Sequence, residues 1–285
     1  MPLQPARELR ERLRAGERFL ADGGMGSELI RYGVAPEDTL RANIGLPEAV
    51  RAIHDRYLRA GACILTCNTF GLRTGDDWAQ ALRAGIGLGV CAARESPQDV
   101  GVWVSLVPGL VQAERETLRF LAEHVPHWPG ALLIETCTGL ETALAAAQAA
   151  RELPLDLLAV TCHFGAHGRM PDGTTPEEAA RALRKAGADV VGGNCGETPA
   201  AFVEIAARMR AATDAPLLLQ PSAGLPVSDA QGRWVYPVGP EEYARIAGQL
   251  FAAGANIVGG CCGTTPAHIA AAAAHAPHSQ DSQGG

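Results

Sequence analysis

The chain has 285 residues, 47 % of them hydrophobic, and a mean hydropathy of +0.03, which describes a chain able to bury a large core as one domain. Its formal charge of −7, from 24 basic and 31 acidic residues, comes with no Lys/Arg run, which excludes a phosphate-tracking nucleic-acid surface. No window of about 18 uninterrupted apolar residues suggests a membrane span. The charged stretch 1–18 lacks the apolar centre of a signal peptide, and the eight cysteines lie in apolar runs rather than in a disulfide framework. The expected compartment is the cytoplasm.

Segment 1–18, with Arg7-Glu8-Leu9-Arg10-Glu11-Arg12-Leu13-Arg14, predicts a helical extension. Beyond it, short apolar runs alternate with amphipathic helical runs, the pattern of parallel βαβ units. The first predicted strand, 18–21, ends at Asp22-Gly23-Gly24-Met25-Gly26; a long excursion then precedes a helix over 47–60. Strand 62–66 ends at Cys67-Asn68-Thr69-Phe70 and is followed by a helix over 76–95. Strand 101–106 precedes a helix around 114–124, and strand 131–134 ends at Glu135-Thr136 before a helix over 140–152. Strand 157–162 leads through a polar loop to helix 176–186. A sixth strand ends at Cys195, with helix 199–212 after it, and strand 216–220 is followed by a long loop and helix 240–253. The eighth strand ends at Cys261, before helix 266–275. Ala-Gly-Ala at 60–62, 186–188 and 253–255 marks helix ends, with Gly as the left-handed cap.

Eight strand-helix units in about 260 residues predict a single-domain (β/α)8 TIM barrel over 19–276, with 277–285 a disordered tail. A doubly wound sheet would need a dinucleotide fingerprint. Gly85-Ile86-Gly87-Leu88-Gly89 lies inside a helical run and reads instead as close helix packing. In a barrel the strand ends share the C-terminal mouth, which brings Asp22, Asn68, Glu135, His163, Asn194, Cys195, Cys261 and Cys262 to one face.

Chemistry concentrates at Gly259-Gly260-Cys261-Cys262-Gly263-Thr264-Thr265-Pro266, nearly repeated at Gly192-Gly193-Asn194-Cys195-Gly196-Glu197-Thr198-Pro199. Adjacent cysteines bridge only with distorted geometry; two could also be small buried hydrophobes. Soft thiolates select zinc, and three protein ligands with an open fourth position is a catalytic count. The preferred reading is therefore a zinc site of Cys195, Cys261 and Cys262 at the mouth. His163 and His167 are metal ligands by type, but three thiolates leave no need for them.

Taken together these motifs resemble the homocysteine S-methyltransferase family, whose members include betaine-dependent enzymes and the homocysteine-binding domain of cobalamin-dependent methionine synthase. The matching stretches are Asp22-Gly23-Gly24-Met25-Gly26, Asn68-Thr69-Phe70, Leu133-Ile134-Glu135-Thr136, Gly193-Asn194-Cys195 and Gly259-Gly260-Cys261-Cys262-Gly263, with Asp172-Gly173-Thr174-Thr175 and Ala223-Gly224-Leu225-Pro226 also similar. The resemblance implies a zinc ion that binds the homocysteine thiol. A methyl group would come from S-methylmethionine, S-adenosylmethionine, betaine or a separate methylcobalamin-carrying protein, giving methionine. It further implies that Asp22 and Glu135 hold the homocysteine ammonium, that backbone N–H groups at Gly23 and Gly24 take its carboxylate, and that Asn68 and Asn194 contact substrate, Asn194 alternatively orienting its loop. Cys67 departs from a Thr usual in the family, putting a carboxylate contact in question or offering a fourth ligand; Ser222 stands where relatives often carry Asn. Trp234 and Tyr236, in the long loop, are candidates for attracting a cationic donor. Other classes remain open: a zinc- or homocysteine-binding protein without turnover, a methyltransferase acting on another thiol, or a zinc hydrolase on a similar barrel.

Overall fold

In the computed structural model, residues 4–71, 77–165, 167–196, 198–229 and 234–276 are described; the expected tail 277–285 and Asp76 lie outside them. In chain order the elements are α1 (Ala6–Arg14), β1 (Phe19–Leu20), α2 (Met25–Arg31), a 3-10 turn (Pro36–Asp38), α3 (Ala42–Gly45), α4 (Pro47–Arg59), β2 (Ile64–Thr66) and α5 (Trp78–Glu95). Then come β3 (Gly101–Leu106), α6 (Pro108–Ala113), α7 (Arg115–His124), β4 (Ala131–Cys137), α8 (Leu140–Ala150), β5 (Leu157–Cys162), α9 (Pro176–Lys185), β6 (Val190–Cys195) and α10 (Ala201–Ala212). The last are β7 (Leu217–Pro221), the hairpin β8 (Val227–Ser228) and β9 (Trp234–Val235), α11 (Pro240–Ala252), β10 (Ile257–Val258) and α12 (Pro266–Ala273).

Eight strands pair in parallel in the order β1-β10-β7-β6-β5-β4-β3-β2. The ring closes between its ends: Cys63 N–H donates to Leu20 O at 2.8 Å, Asp22 N–H donates to Ile64 O at 3.0 Å, and Ala21 bridges Ile64. The expected (β/α)8 barrel is therefore the fold. Four helices start on a proline that the sequence marks, Pro47, Pro176, Pro240 and Pro266, where the missing N–H costs nothing. The helix expected from Pro199 begins instead at Ala201, after a turn. The Ala-Gly-Ala helix ends hold Gly61, Gly187 and Gly254 at φ of +99°, +95° and +102°.

Inside the barrel, Phe19, Ile64, Trp103, Leu133, Leu157, Leu218 and Ile257 form one apolar cluster, joined by Leu9 and Leu13 of α1. The amphipathic helix α1 thus packs its apolar stripe on the barrel's interior residues at the N-terminal end. Because side chains alternate along a strand, the same inward register continues towards the mouth as Thr66, Ser105, Glu135, Thr161 and Gln220, with Asn194 near the end of β6. The apolar core therefore gives way to a polar layer beneath the mouth.

Several elements were not foreseen. The excursion after β1 carries α2, the 3-10 turn and α3; the segment after β3 holds two helices where one was expected; and the long loop after β7 contains the β8–β9 hairpin. These are four- to seven-residue helices and two-residue strands, too short for a hydrophobic period to emerge. Strand β4 runs on past Ile134 to Cys137 through a register shift. Among the described residues no helix is long and apolar enough to cross a membrane.

Candidate metal centre

Strand β6 reaches its cysteine through Gly192 and Gly193; a Cβ on Gly192 would lie 1.8 Å from Leu218 O, so nothing larger fits there, and one on Gly193 would press on Phe202 and Phe164 at 3.0–3.1 Å. Cys195 itself takes φ +65°, a left-handed backbone that costs a non-glycine residue about 1–3 kcal/mol. Its carbonyl accepts from Ser222 N–H at 2.9 Å. On the eighth strand the pairing continues past Val258, with Gly259 N–H on Leu219 O and Cys261 N–H on Pro221 O, both 3.0 Å. The turn that follows is tight. Thr264 Oγ1 donates to Cys261 O at 2.6 Å and accepts from Gly24 N–H at 3.0 Å, while a Cβ on Gly263, at φ +79°, would lie 2.1 Å from Cγ of Tyr236.

The outcome is that Cys195, Cys261 and Cys262 present three sulfurs within 4.8 Å of one another, the last two 3.9 Å apart. A tetrahedral zinc with Zn–S of about 2.3 Å sets its sulfurs about 3.8 Å apart, so the donor set fits that ion in type and spacing. Ser222 Oγ donates to Cys195 Sγ at 3.6 Å, and Asn194 Nδ2 to Cys261 Sγ at 3.8 Å. The His163 ring also hydrogen-bonds Cys195. Hydrogen bonds from Cys261 and Cys262 push the Cys195 thiol far down. Those two thiols move the other way because of Cys195, Cys262 to about 11 and Cys261 well above its usual value.

The sulfurs open on a cavity of about 310 Å³ whose wall includes Gly23, Gly24, Glu135, Gln220 and Tyr236. Glu135 accepts from Ser105 Oγ and from Asn194 Nδ2 at 3.0 Å, and burial, above all, pushes it up to about 7. Asn194 is held by its own carbonyl: Oδ1 accepts from Thr136 N–H and from Thr161 Oγ1, each at 2.8 Å. Its role in orienting the loop is visible in these bonds.

The other expected contacts sit differently. Asp22 is 1 % exposed; its two oxygens accept from Thr66 N–H at 2.8 Å and Thr66 Oγ1 at 3.0 Å, and it is not on the cavity wall. Burial raises it to about 8, with Glu135 adding to the shift. The Gly24 N–H is taken by Thr264, and a Cβ at Gly24 would lie 2.5 Å from Cys261 O; this glycine turn brings β1 against the cysteine turn. Asn68 lines the cavity, but its amide hydrogens go to Thr39 O at 2.7 Å and Asn43 Oδ1 at 2.9 Å, which pins the excursion. Cys67 borders the cavity, but its sulfur is packed against α5, where a Cβ on Gly89 would lie 2.8 Å from it, and it is not part of the sulfur cluster. Tyr236 reaches the cavity, whereas Trp234 is 70 % exposed on the hairpin. His167 is exposed. Sequence reasoning missed Thr66, Ser105, Thr161 and Gln220, although the strand alternation pointed them inward.

Comparison with known proteins follows the same lines. The profile of the homocysteine S-methyltransferase family matches residues 19–276. Methionine synthase of Mycobacterium tuberculosis is 32 % identical over 90 % of the chain, which spans only 24 % of that protein. Betaine–homocysteine S-methyltransferase 1 of Danio rerio is 31 % identical over 95 % of the chain and 76 % of its own length. Among solved structures, the metallated form of the homocysteine methyltransferase MmuM from Escherichia coli superposes with a TM-score of 0.76 at 22 % identity, covering 93 % of this chain and 99 % of that one, a likeness of fold.

Proposed function

The chain belongs to the homocysteine S-methyltransferase family, and from that premise we propose that it is a zinc-dependent enzyme transferring a methyl group from a small cationic donor to homocysteine, giving methionine. The observation that carries this is the meeting of three sulfurs, from Cys195, Cys261 and Cys262, at one cavity. A free thiol has a pKa of about 8.5, so only a few per cent is thiolate at pH 7. A zinc ion held by these sulfurs would supply the positive charge that keeps the acceptor thiol deprotonated.

The protein's own groups orient and activate. Glu135, on the wall beside the sulfurs and raised to about 7 by burial, regains its charge when an ammonium approaches, which anchors the amino end of the acceptor. Ser222 and Asn194 donate to the sulfurs of Cys195 and Cys261, which fixes their direction and moderates their charge. The acceptor sulfur then attacks the donor's methyl carbon in line; a new S–C bond forms as the donor's bond to that carbon breaks, and the donor leaves with the electron pair, one unit less positive. The face of Tyr236 beside the cysteine turn suits a sulfonium or quaternary ammonium, and we assign the donor to the sulfonium class. The similarity to methionine synthases supports a second source, a separate methylcobalamin-carrying protein.

The test is product formation. Zinc-loaded protein is incubated with homocysteine and, in turn, S-methylmethionine, S-adenosylmethionine, betaine and a methylcobalamin protein, and methionine is quantified. Methionine from a sulfonium supports the reading. Homocysteine bound with no product from any donor would leave a passive binding protein, and turnover only with another thiol would reassign the acceptor.

A further inference from the structure

The loop after β7, which carries Tyr236, is closed at its base by a short chain of hydrogen bonds. Val238 N–H donates to Ala223 O at 3.1 Å, and Gly224, at φ +92°, leaves room for Pro237, whose Cγ would lie 2.8 Å from a Cβ there. One side of this base is tied to the cysteine turn, since Ala223 N–H donates to Cys262 O at 2.9 Å. The other side is tied by His268 of α12. Its Nε2 hydrogen-bonds Val238 O at 2.8 Å, and its Nδ1 hydrogen-bonds the N–H and the hydroxyl of Thr265 at 3.2 and 2.9 Å. The bonds thus run from Cys262 through Ala223, Val238 and His268 to Thr265, three residues along the chain from where they began.

The partners fix the state of the ring. A backbone N–H only donates and a carbonyl only accepts, so Nδ1 is the acceptor for Thr265 and Nε2 carries the hydrogen that Val238 O receives. Burial lowers the ring from the usual histidine range, in keeping with a neutral imidazole. The side chain is 6 % exposed and meets Tyr243 of α11 edge-on, with ring centroids 5.5 Å apart, while the Tyr243 hydroxyl donates to Gly259 O at 2.5 Å. Capping α12 needs only the Nδ1 bond, the role of the third helical residue in a capping box. The Nε2 bond does nothing for α12 and serves the loop alone. It holds a carbonyl two residues beyond Tyr236, and Tyr236 in turn presses on the cysteine turn, where a Cβ on Gly263 would lie 2.1 Å from its Cγ.

We propose that His268 is a positioning residue for the methyl donor: through Val238 it latches the loop that carries Tyr236 onto the cysteine turn, and so sets the donor's aromatic neighbour beside the sulfurs. The assignment rests on the reading of Tyr236 as the contact for a cationic donor.

Two variants separate the latch from the cap. Glutamine and glutamate both close a capping box from this position, so each keeps the bond to Thr265, but only glutamine also offers an N–H to Val238 O. In metal-free protein, hydrogen exchange followed by NMR should show the Val238 amide exchanging about fivefold faster in His268→Glu, the equivalent of one hydrogen bond. The amides of α12 should be unchanged in that variant, and His268→Gln should match wild type throughout. His268→Ala gives up both bonds and should speed exchange at Val238 as well as in the first turn of α12, which decides the matter should the glutamate variant fail to fold. In zinc-loaded protein with S-methylmethionine as donor, His268→Glu should raise the donor KM several-fold and leave the Kd for homocysteine within about twofold, glutamine restoring both to wild type. The double variant with Tyr236→Leu should have a donor KM no higher than Tyr236→Leu alone, because the latch acts through that ring. Unchanged exchange at Val238 in the glutamate or alanine variant, equal losses with glutamine and glutamate, or effects of His268 and Tyr236 that simply multiply each overturn the assignment. A donor KM indifferent to Tyr236→Leu, or no turnover of the sulfonium by wild type, overturns the donor reading instead, and the exchange measurement, which needs no donor, tells the two failures apart.

Discussion

Replacing Glu135 by Gln tests the substrate end of the site most directly. The side chain accepts from two donors, Ser105 Oγ on one oxygen and Asn194 Nδ2 on the other at 3.0 Å, and of the two only the Ser105 hydroxyl can reverse its role. Asn194 cannot flip its amide, because its Oδ1 already accepts from Thr136 N–H and Thr161 Oγ1. A glutamine therefore either sets its NH2 against that of Asn194 or turns it to Ser105, whose hydroxyl rotates to accept it. The second arrangement is the cheaper one, so the variant keeps its fold and loses the charge. Removing the charged partner of a largely desolvated ammonium costs about 2–3 kcal/mol, equivalent to roughly 30- to 150-fold in affinity. Calorimetric titration of zinc-loaded protein with homocysteine should show that rise in Kd, with zinc content unchanged and with 4-mercaptobutanoate binding little affected. Unchanged homocysteine affinity in a zinc-replete, folded variant would refute the role of Glu135 as ammonium acceptor.

The remaining expectations are as specific. Cys262→Ser should lower zinc content and abolish methyl transfer while thermal unfolding stays near that of the metal-free wild type, because the sulfur stands at the mouth and not in the core; full activity would remove it from the ligand set. Tyr236→Leu should raise the KM for a cationic donor several-fold, a cation–π contact contributing about 0.5–2 kcal/mol, and leave the Kd for homocysteine alone unchanged. The two raised carboxyls set a pH dependence in the metal-free, ligand-free protein. Burial lifts Glu135 to about 7 and Asp22 to about 8, so the folded state binds their protons more tightly than the unfolded chain. Their contribution is present in full below about pH 4, the unfolded range, and is lost as pH rises through 7 to 8. Thermal denaturation should accordingly show a smaller drop in Tm between pH 5.5 and 8 in Glu135→Gln than in wild type, and an equal drop would contradict it.

The barrel was legible because its signals are local and repeated. Seven of the eight strands end in runs bounded by helix-starting prolines or by Ala-Gly-Ala, and a period of that kind survives without knowledge of the tertiary structure. The cysteine trio was legible for a different reason: two glycine-flanked motifs at equivalent strand ends need only the barrel's topology to meet. What the sequence withheld is where a side chain points once its strand has ended. Asp22 and Cys67 both follow strands; Asp22 was expected at the mouth, and Cys67 stood as a doubtful substrate contact or a fourth ligand. One is drawn back onto Thr66 by two hydrogen bonds, and the other is turned onto the helix where Gly89 leaves room for its sulfur. Neither outcome has a sequence signature, since the deciding partners are 44 and 22 residues away. Gln220 shows the converse: alternation along β7 pointed it inward, but an amide on an apolar strand carries no motif.

The arrangement around Asn194 explains why the mouth tolerates backbone strain. Two non-glycine residues there adopt left-handed conformations, Thr136 at φ +60° and Cys195 at φ +65°, each a cost of about 1–3 kcal/mol. They belong to different strands, yet the same side chain ties them: Asn194 precedes Cys195 and accepts from the backbone N–H of Thr136. Straightening Thr136 would pull its N–H off Asn194 and leave that donor unpaired, which offsets the relief of strain. The strained residue in β4 stands next to Glu135, and the strained end of β6 is Cys195, one of the three clustered thiols. Through Nδ2 the amide also reaches Glu135 and the sulfur of Cys261, so one asparagine ties that carboxyl to the cysteine cluster. Under the proposed function the distance between them would select a γ-thiol amino acid, since a thiol of another length would meet one end of the site only by giving up the other.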